Sequence, residues 1–83
     1  MSDITGTVFG LHQRRGFVAV RVAGFGFCLL QWIEGPMPEV GDILRGQLIG
    51  GGSVRNVSMG WECEVVVQAT HCDRAAIDRL LGL

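Results

Sequence analysis

Residues 17–31 read FVAVRVAGFGFCLLQ, and this stretch decides the fold because it contains two apolar runs separated by a short turn. In residues 17–22, valine occupies every second position, which is the two-residue period of a β-strand. Ala23-Gly24 interrupts the pattern, and residues 25–31 continue as a second apolar run. The stretch therefore predicts a hairpin of two strands.

Shorter strand patterns lie on both sides of this hairpin. β-Branched and aromatic residues bounded by glycine predict further strands at about residues 4–11, 43–49 and 54–58. The two prolines within residues 34–38 exclude a regular helix or a central strand there. Five short strands joined by glycine turns favour a closed barrel, which leaves few strand edges exposed. The pattern alone leaves the SH3-like barrel and the OB barrel both open.

The end of the chain carries two further patterns. Residues 61–69 alternate between apolar and polar side chains, which is typical of a half-buried strand, either additional to the barrel or an extension of it. Thr70 is a suitable N-cap, and residues 71–82 predict a short helix that closes the open end of the barrel. We therefore expect one all-β domain over residues 1–83, with the barrel itself at 4–58.

Composition and charge exclude several classes of protein. The chain is 48% hydrophobic with a net charge of −1, which argues against disorder and against a nonspecific binder of polyanions. No acidic residue occurs between Asp3 and Glu34, however, so part of the surface is expected to be basic. The odd set of three cysteines and the absence of a leader-like N-terminus indicate a reduced, cytoplasmic protein. Arg21 and several glycines interrupt the apolar residues 16–33, so we expect no membrane partner.

Four short motifs follow one another along residues 5–58. They are GTV at residues 6–8, RGFVAV at 15–20, EVGDIL at 39–44 and GGSVRNV at 51–57. Their order and spacing resemble the cold-shock domain, a member of the OB-fold family. The resemblance implies a small five-stranded OB-type barrel, here with a C-terminal strand extension and helix. It also implies noncatalytic binding of single-stranded RNA or DNA.

The resemblance also assigns a candidate binding surface. In that family, aromatic residues on the second and third strands stack on bases, and nearby basic residues neutralise phosphates. Phe17 matches the first of these aromatics, and Arg15 matches the basic residue that precedes it. Arg21 shares a strand face with Phe17, and Phe9 is one residue from the position of the family's tryptophan. The expected nucleic-acid site consists of Phe9, His12, Arg14, Arg15, Phe17, Arg21 and Arg55.

Several positions depart from the family pattern. Ala19 stands where the family has a second stacking aromatic, and Gly10 stands where it has the tryptophan. In residues 27–30, FCLL, Cys28 stands where the family has an aromatic residue and Leu30 stands where it has a histidine. These replacements leave a second hypothesis open, in which the barrel has lost nucleic-acid binding and serves as a protein-interaction or homodimer module. The expected partner surface consists of Ala19, Cys28, Leu30 and Trp32.

No motif in the chain supports catalysis or metal binding. His71-Cys72 and Cys63 lack the closely spaced ligand pairs of structural zinc sites. The glycines at residues 50–52 lack the lysine that completes a phosphate-binding loop. No serine or cysteine lies in the sequence context of a catalytic nucleophile. We therefore expect a protein without enzymatic activity, cofactor or metal.

Overall fold

Six antiparallel strands and one helix make up the computed structural model, which describes residues 4–81. The elements are β1 (Ile4–His12), β2 (Phe17–Val22), β3 (Gly26–Glu34), β4 (Ile43–Gly46), β5 (Gly52–Asn56), β6 (Trp61–Cys72) and helix α1 (Arg74–Leu81). Neighbouring strands follow the order β1-β2-β3-β6-β5-β4, and β4 pairs back to β1, so the barrel is closed. The predicted all-β, OB-like barrel with a short C-terminal helix is confirmed.

The number of strands differs from the five that were expected. β6 pairs with β3 on one side and with β5 on the other, so it is a full member of the barrel. It has 12 residues and continues to Cys72, past the predicted end at residue 69. Irregularities in its pairing with β3, such as the one between Phe27 and Leu29, allow this long strand to bend around the barrel.

Alternating side chains fill the interior of the barrel. Val18, Val20 and Val22 of β2 are almost completely buried. Cys28 and Leu30 of β3 point into the same interior, because Cys28 pairs with Val20 and Leu30 pairs with Val18. The other strands and turns add buried side chains to this cluster, among them Val8, Trp32, Leu44, Leu48, Val54, Cys63 and Val65.

The turn between β4 and β5 begins earlier in the chain than the sequence predicts. β4 ends at Gly46 instead of Ile49. The N–H of Gly51 donates a hydrogen bond to the carbonyl of Gln47 at 2.8 Å and closes the turn. Leu48 lies in this turn but is fully buried. The apolar pattern therefore extended past the end of the strand because the turn also contributes to the core.

Gly46 is expected not to tolerate even alanine. Its φ is 138°, and an added Cβ would lie 2.7 Å from the backbone oxygen of Ser53 and 3.0 Å from the Cα of Val54. Because backbone atoms cannot rotate away, Gly46→Ala should lower the free energy of unfolding by about 1–3 kcal/mol in urea denaturation. Gly50→Ala is the matched control, since its Cβ would meet nothing closer than Gln47 Oε1 at 3.7 Å. Equal losses in both variants would contradict this explanation.

Helix α1 begins later than residue 71, where the sequence placed its start. Thr70 lies in β6 and is not the N-cap. Asp73 caps the helix instead, because its Oδ1 accepts a hydrogen bond from the N–H of Ala76 at 2.8 Å. Within residues 4–81, no helix is long and apolar enough to cross a membrane.

Helix α1 lies on the outside of the barrel and not at its open end. Ile77 and Leu81 are fully buried and pack against Ala19 and Leu29. Ala19 and Leu29 pair across β2 and β3, and they face outward because their chain neighbours face inward. The predicted position of the helix is therefore wrong, because the apolar surface on which it packs is this outer face and not the end of the barrel. Residue 82, which was predicted to be helical, lies outside the described residues.

Candidate nucleic-acid interface

The outer face of β1, β2 and β3 lies beneath α1. The half-buried rings of Phe9, Phe17 and Phe27 surround Ala19 and Leu29, and we call these five residues the covered face. Phe9 and Phe27 meet edge to face, with ring centroids 5.0 Å apart and an interplanar angle of 67°. Each of the three strands therefore contributes one phenylalanine to a surface that the helix partly hides.

Two small residues make room for the helix on this face. Ala19 is completely buried beneath it. A Cβ added to Gly10 of β1 would lie 3.3 Å from Leu81 Cδ1, which is tighter than most real contacts. Larger side chains at either position would push α1 away from the barrel. The resemblance noted in the sequence predicts an aromatic residue at each of these two positions, and the small residues found there instead form the docking surface of the helix.

The first turn of α1 places a cation on Phe9. The guanidinium carbon of Arg74 lies 4.8 Å from the centroid of the Phe9 ring, within the range of a cation–π interaction. Arg74 also forms an ion pair with Asp78 one turn later, at 3.5 Å. Phe9 is therefore held between Arg74 and Phe27, and only part of its ring is exposed.

An open surface adjoins the covered face on β2, β1 and β4. Thr7 pairs with Arg21 of β2, and Thr5 pairs with Arg45 of β4. All four residues are exposed, and we call them the arginine–threonine strip. A cavity of about 420 Å³, lined by Thr5, Thr7, Arg21 and Phe9 among others, connects the strip to the covered face. The strip therefore presents hydroxyl and guanidinium donors beside an aromatic ring.

Three residues of this strip are absent from the predicted site. Thr5, Thr7 and Arg45 come beside Arg21 only through the pairing of β1 with β2 and with the distant β4. The two-residue spacing of the threonines on the first predicted strand was the available signal, because it places both side chains on one face. The partner strand of that face cannot be read from a local pattern.

Charge is divided between two sides of the barrel. The neighbouring strands β4, β1 and β2 contain no acidic residue. In contrast, Glu34 pairs with Glu64 across β3 and β6, and Glu62 lies on the same stretch of β6. β6 lies two strands from β4 and three from β1, roughly 10–15 Å away at the usual strand spacing, whereas salt screens charges over about 8 Å at physiological ionic strength. The strip is therefore locally basic although the net charge is −1.

The other predicted basic residues lie at the far end of β2. Arg14 and Arg15 are exposed in the β1–β2 turn, where the N–H of Arg15 donates to His12 Nδ1 at 3.3 Å. Phe17 follows this turn, and Arg21 lies about 13 Å further along the strand at the usual rise per residue. The structure therefore separates the arginines of the turn from Arg21, and the covered face lies between them.

Arg55 lies at the margin of the strip and is paired with an acidic neighbour. It stands opposite Arg45 on β4, and its Nη1 lies 3.0 Å from Glu62 Oε1. Both side chains of this ion pair are more than half exposed. Exposed pairs contribute at most about 1 kcal/mol, so Arg55 is free to exchange its carboxylate partner for a phosphate.

The four residues of the predicted partner surface do not lie on an open surface. Cys28 and Leu30 face the barrel interior, and Ala19 lies beneath α1. Trp32 is 8% exposed, and its indole N–H donates to the carbonyl of Pro36 at 3.1 Å. The outward orientation expected for Cys28 and Leu30 is wrong, because the register across the β2–β3 turn sets them opposite the inward valines of β2.

The thiols and histidines of the described chain are not assembled into a reactive or metal-binding group. Burial raises the pKa of the Cys28 and Cys63 thiols, and a hydrogen bond from the backbone of His71 only partly offsets this for Cys28. Both thiols are therefore protonated and weakly nucleophilic at neutral pH. Residues 4–81 contain no group of three or more histidine, cysteine or acidic side chains arranged to hold a metal ion.

Comparison of the chain with protein-family models found no match, and comparisons with curated proteins and with solved structures found none either. The small closed barrel is consistent with an OB-like fold. The finer assignment to the cold-shock domain therefore stays a prediction.

Proposed function

We propose that this protein is a noncatalytic binder of single-stranded nucleic acid and that the arginine–threonine strip is its first contact surface. The observation that carries the proposal is the position of Arg21 and Arg45 beside two exposed threonines, on three adjacent strands without an acidic residue. Guanidinium groups bind phosphate through two parallel hydrogen bonds, and hydroxyl groups add further phosphate contacts. A reducing, cytoplasmic location belongs to the proposal and is supported by the three free cysteines.

Phe9 supports single-stranded rather than duplex nucleic acid as the ligand. Its ring borders the cavity that also contains Arg21, so a phosphate on Arg21 brings the attached base close to the ring. Stacking of a base on an aromatic side chain contributes about 1–3 kcal/mol and requires a base that is free of its complementary strand. Both RNA and DNA satisfy this requirement.

A salt titration tests this proposal. Fluorescence anisotropy with a labelled single-stranded oligonucleotide, as RNA and as DNA, should show binding that weakens on the order of tenfold between about 50 and 200 mM salt, as expected for two or three phosphate contacts. The duplex of the same sequence should bind more weakly, because its bases cannot reach Phe9. Failure of both single strands to bind at the lower salt would overturn the proposal.

A second candidate function, protein interaction, is favoured by one separate observation. Val57 and Met59 in the turn between β5 and β6 and Trp61 at the start of β6 are exposed, with Met59 at 53% and Trp61 at 45% exposure. Exposed tryptophan and methionine side chains are typical of protein interfaces. Analytical ultracentrifugation of the wild type and of Trp61→Ala distinguishes a self-associating module from a monomer. A wild-type monomer at all concentrations would contradict the homodimer form of this candidate.

A further inference from the structure

The covered face joins two groups of arginines. Arg21 of the strip pairs with Phe27 at one end of this face. Arg14 and Arg15 precede Phe17 at its other end. Aromatic rings between cations suit a single strand, in which bases and phosphates alternate. In the structure, however, α1 occupies the middle of this path.

We propose that α1 is a displaceable cover over the three phenylalanines and that single-stranded nucleic acid, once held on the strip, competes with the helix for them. This inference rests on the proposed function and adds its regulation. In the closed state the arginines are exposed, but only part of each of the three phenylalanine rings is available to a ligand. In the open state, Phe17 and Phe27 extend the aromatic surface toward the arginines of the β1–β2 turn.

Few contacts hold the helix in place. Of residues 74–81, only Ile77 and Leu81 are fully buried. Both belong to a cluster that is separate from the interior of the barrel, so undocking of the helix leaves the interior closed. Arg74 adds a cation–π contact with Phe9, which is weak because the arginine is exposed, and the Arg74–Asp78 ion pair lies within the helix and does not attach it to the barrel. An isolated helix of eight residues is not stable in water. Release of α1 therefore unfolds the helix without unfolding the barrel.

The first test disrupts the contact between helix and barrel in the full-length chain. Ile77→Asp places a carboxylate at a buried position, whereas Leu80→Asp makes the same change at a position that is 45% exposed on the same helix. If α1 in the closed state covers the phenylalanine rings and keeps them from the ligand, Ile77→Asp should bind the oligonucleotide at least about tenfold more tightly than Leu80→Asp. Equal or weaker binding by Ile77→Asp would overturn the proposal that α1 is a displaceable cover, because the added charge is the same in both variants.

Two further variants identify the surface that is uncovered. The larger side chain of Gly10→Val would crowd Leu81 from the barrel side, so this variant, like Ile77→Asp, should bind the oligonucleotide more tightly. Adding Phe17→Ala to Ile77→Asp should remove most of the gain, since base stacking on Phe17 would be lost. A gain that survives Phe17→Ala would show that the ligand does not use the covered face.

Hydrogen exchange of the free protein tests the motion without any ligand. The amides of α1, such as that of Ile77, should exchange at least about a hundredfold faster than those of β2, because they open without global unfolding. If the helix amides exchange as slowly as those of β2, the proposal of a displaceable helix is overturned and the proposed function is left intact. If the wild type and all variants fail to bind oligonucleotides, the proposed function fails, and nucleic acid is excluded as the competitor even where the helix opens.

Discussion

The Asn56→Leu variant is expected to lose about 2–4 kcal/mol of its free energy of unfolding. Asn56 is fully buried at the end of β5. Its Nδ2 donates to Asp42 Oδ2 at 2.8 Å, and its Oδ1 accepts from the N–H of Met59 at 3.1 Å. Leucine has a similar volume but no polar group, so the buried carboxylate of Asp42 loses one of its hydrogen-bond donors and the N–H of Met59 loses its acceptor. Urea denaturation followed by tryptophan fluorescence measures the loss.

The size of this effect follows from the position of Asn56 in a network that links two turns. Asp42 Oδ2 also accepts the N–H of Glu39 at 2.9 Å, so the network joins the turn before β4 to the turn after β5. Ser53→Ala is the control on the same strand, because it removes an exposed hydrogen bond to Glu64 and should cost less than about 0.5 kcal/mol. Similar small losses in both variants would contradict a structural role for Asn56.

The second large effect is expected on binding. Replacing both Arg21 and Arg45 by Gln should weaken binding of single-stranded oligonucleotides on the order of tenfold at low salt, because two phosphate contacts are lost. The logarithmic dependence of affinity on salt should become shallower by about 0.7 for each contact removed. Anisotropy titrations at several salt concentrations measure both quantities, and the loss should be similar for different base sequences.

Arg79→Gln provides the charge-matched control for each single replacement. Arg79 is exposed on α1 and does not belong to the strip. Its removal should change affinity much less than the loss of Arg21 or Arg45, although the change in net charge is the same. If all three single variants lose affinity equally, binding depends on overall charge and the strip is not a specific site.

Local sequence patterns predicted where the strands lie better than which strands pair with one another. The range of β2, Phe17–Val22, agrees with the sequence prediction, because valine alternation and the flanking glycines act within a few residues. The place of β6 between β3 and β5 could not be predicted, since alternation identifies the two faces of a strand and not its partners. That place depends on pairs such as Leu30 with Val67, which are far apart in the chain.

The candidate site, too, could be predicted from the sequence only as far as local patterns reach. The closeness of Arg15, Phe17 and Arg21 in the chain favoured one shared patch, but the rise of an extended strand separates its ends. The spacing of Ile77, Leu80 and Leu81 indicated an amphipathic helix without indicating its docking surface, and Leu80 is exposed in the structure. Only the folded barrel places that helix over the outer phenylalanines and leaves Arg45 beside the threonines of β1.

Chemical-shift mapping tests the central claim, binding of single-stranded nucleic acid at the arginine–threonine strip, most directly. Titration of the ¹⁵N-labelled protein with a short single-stranded oligonucleotide at low salt should shift the amides of Thr5, Thr7, Arg21 and Arg45 first. The amides of β6 near Glu64 should stay unchanged, because that side of the barrel is acidic. Shifts confined to the β5–β6 turn or to β6, or no shifts at all, would contradict the account.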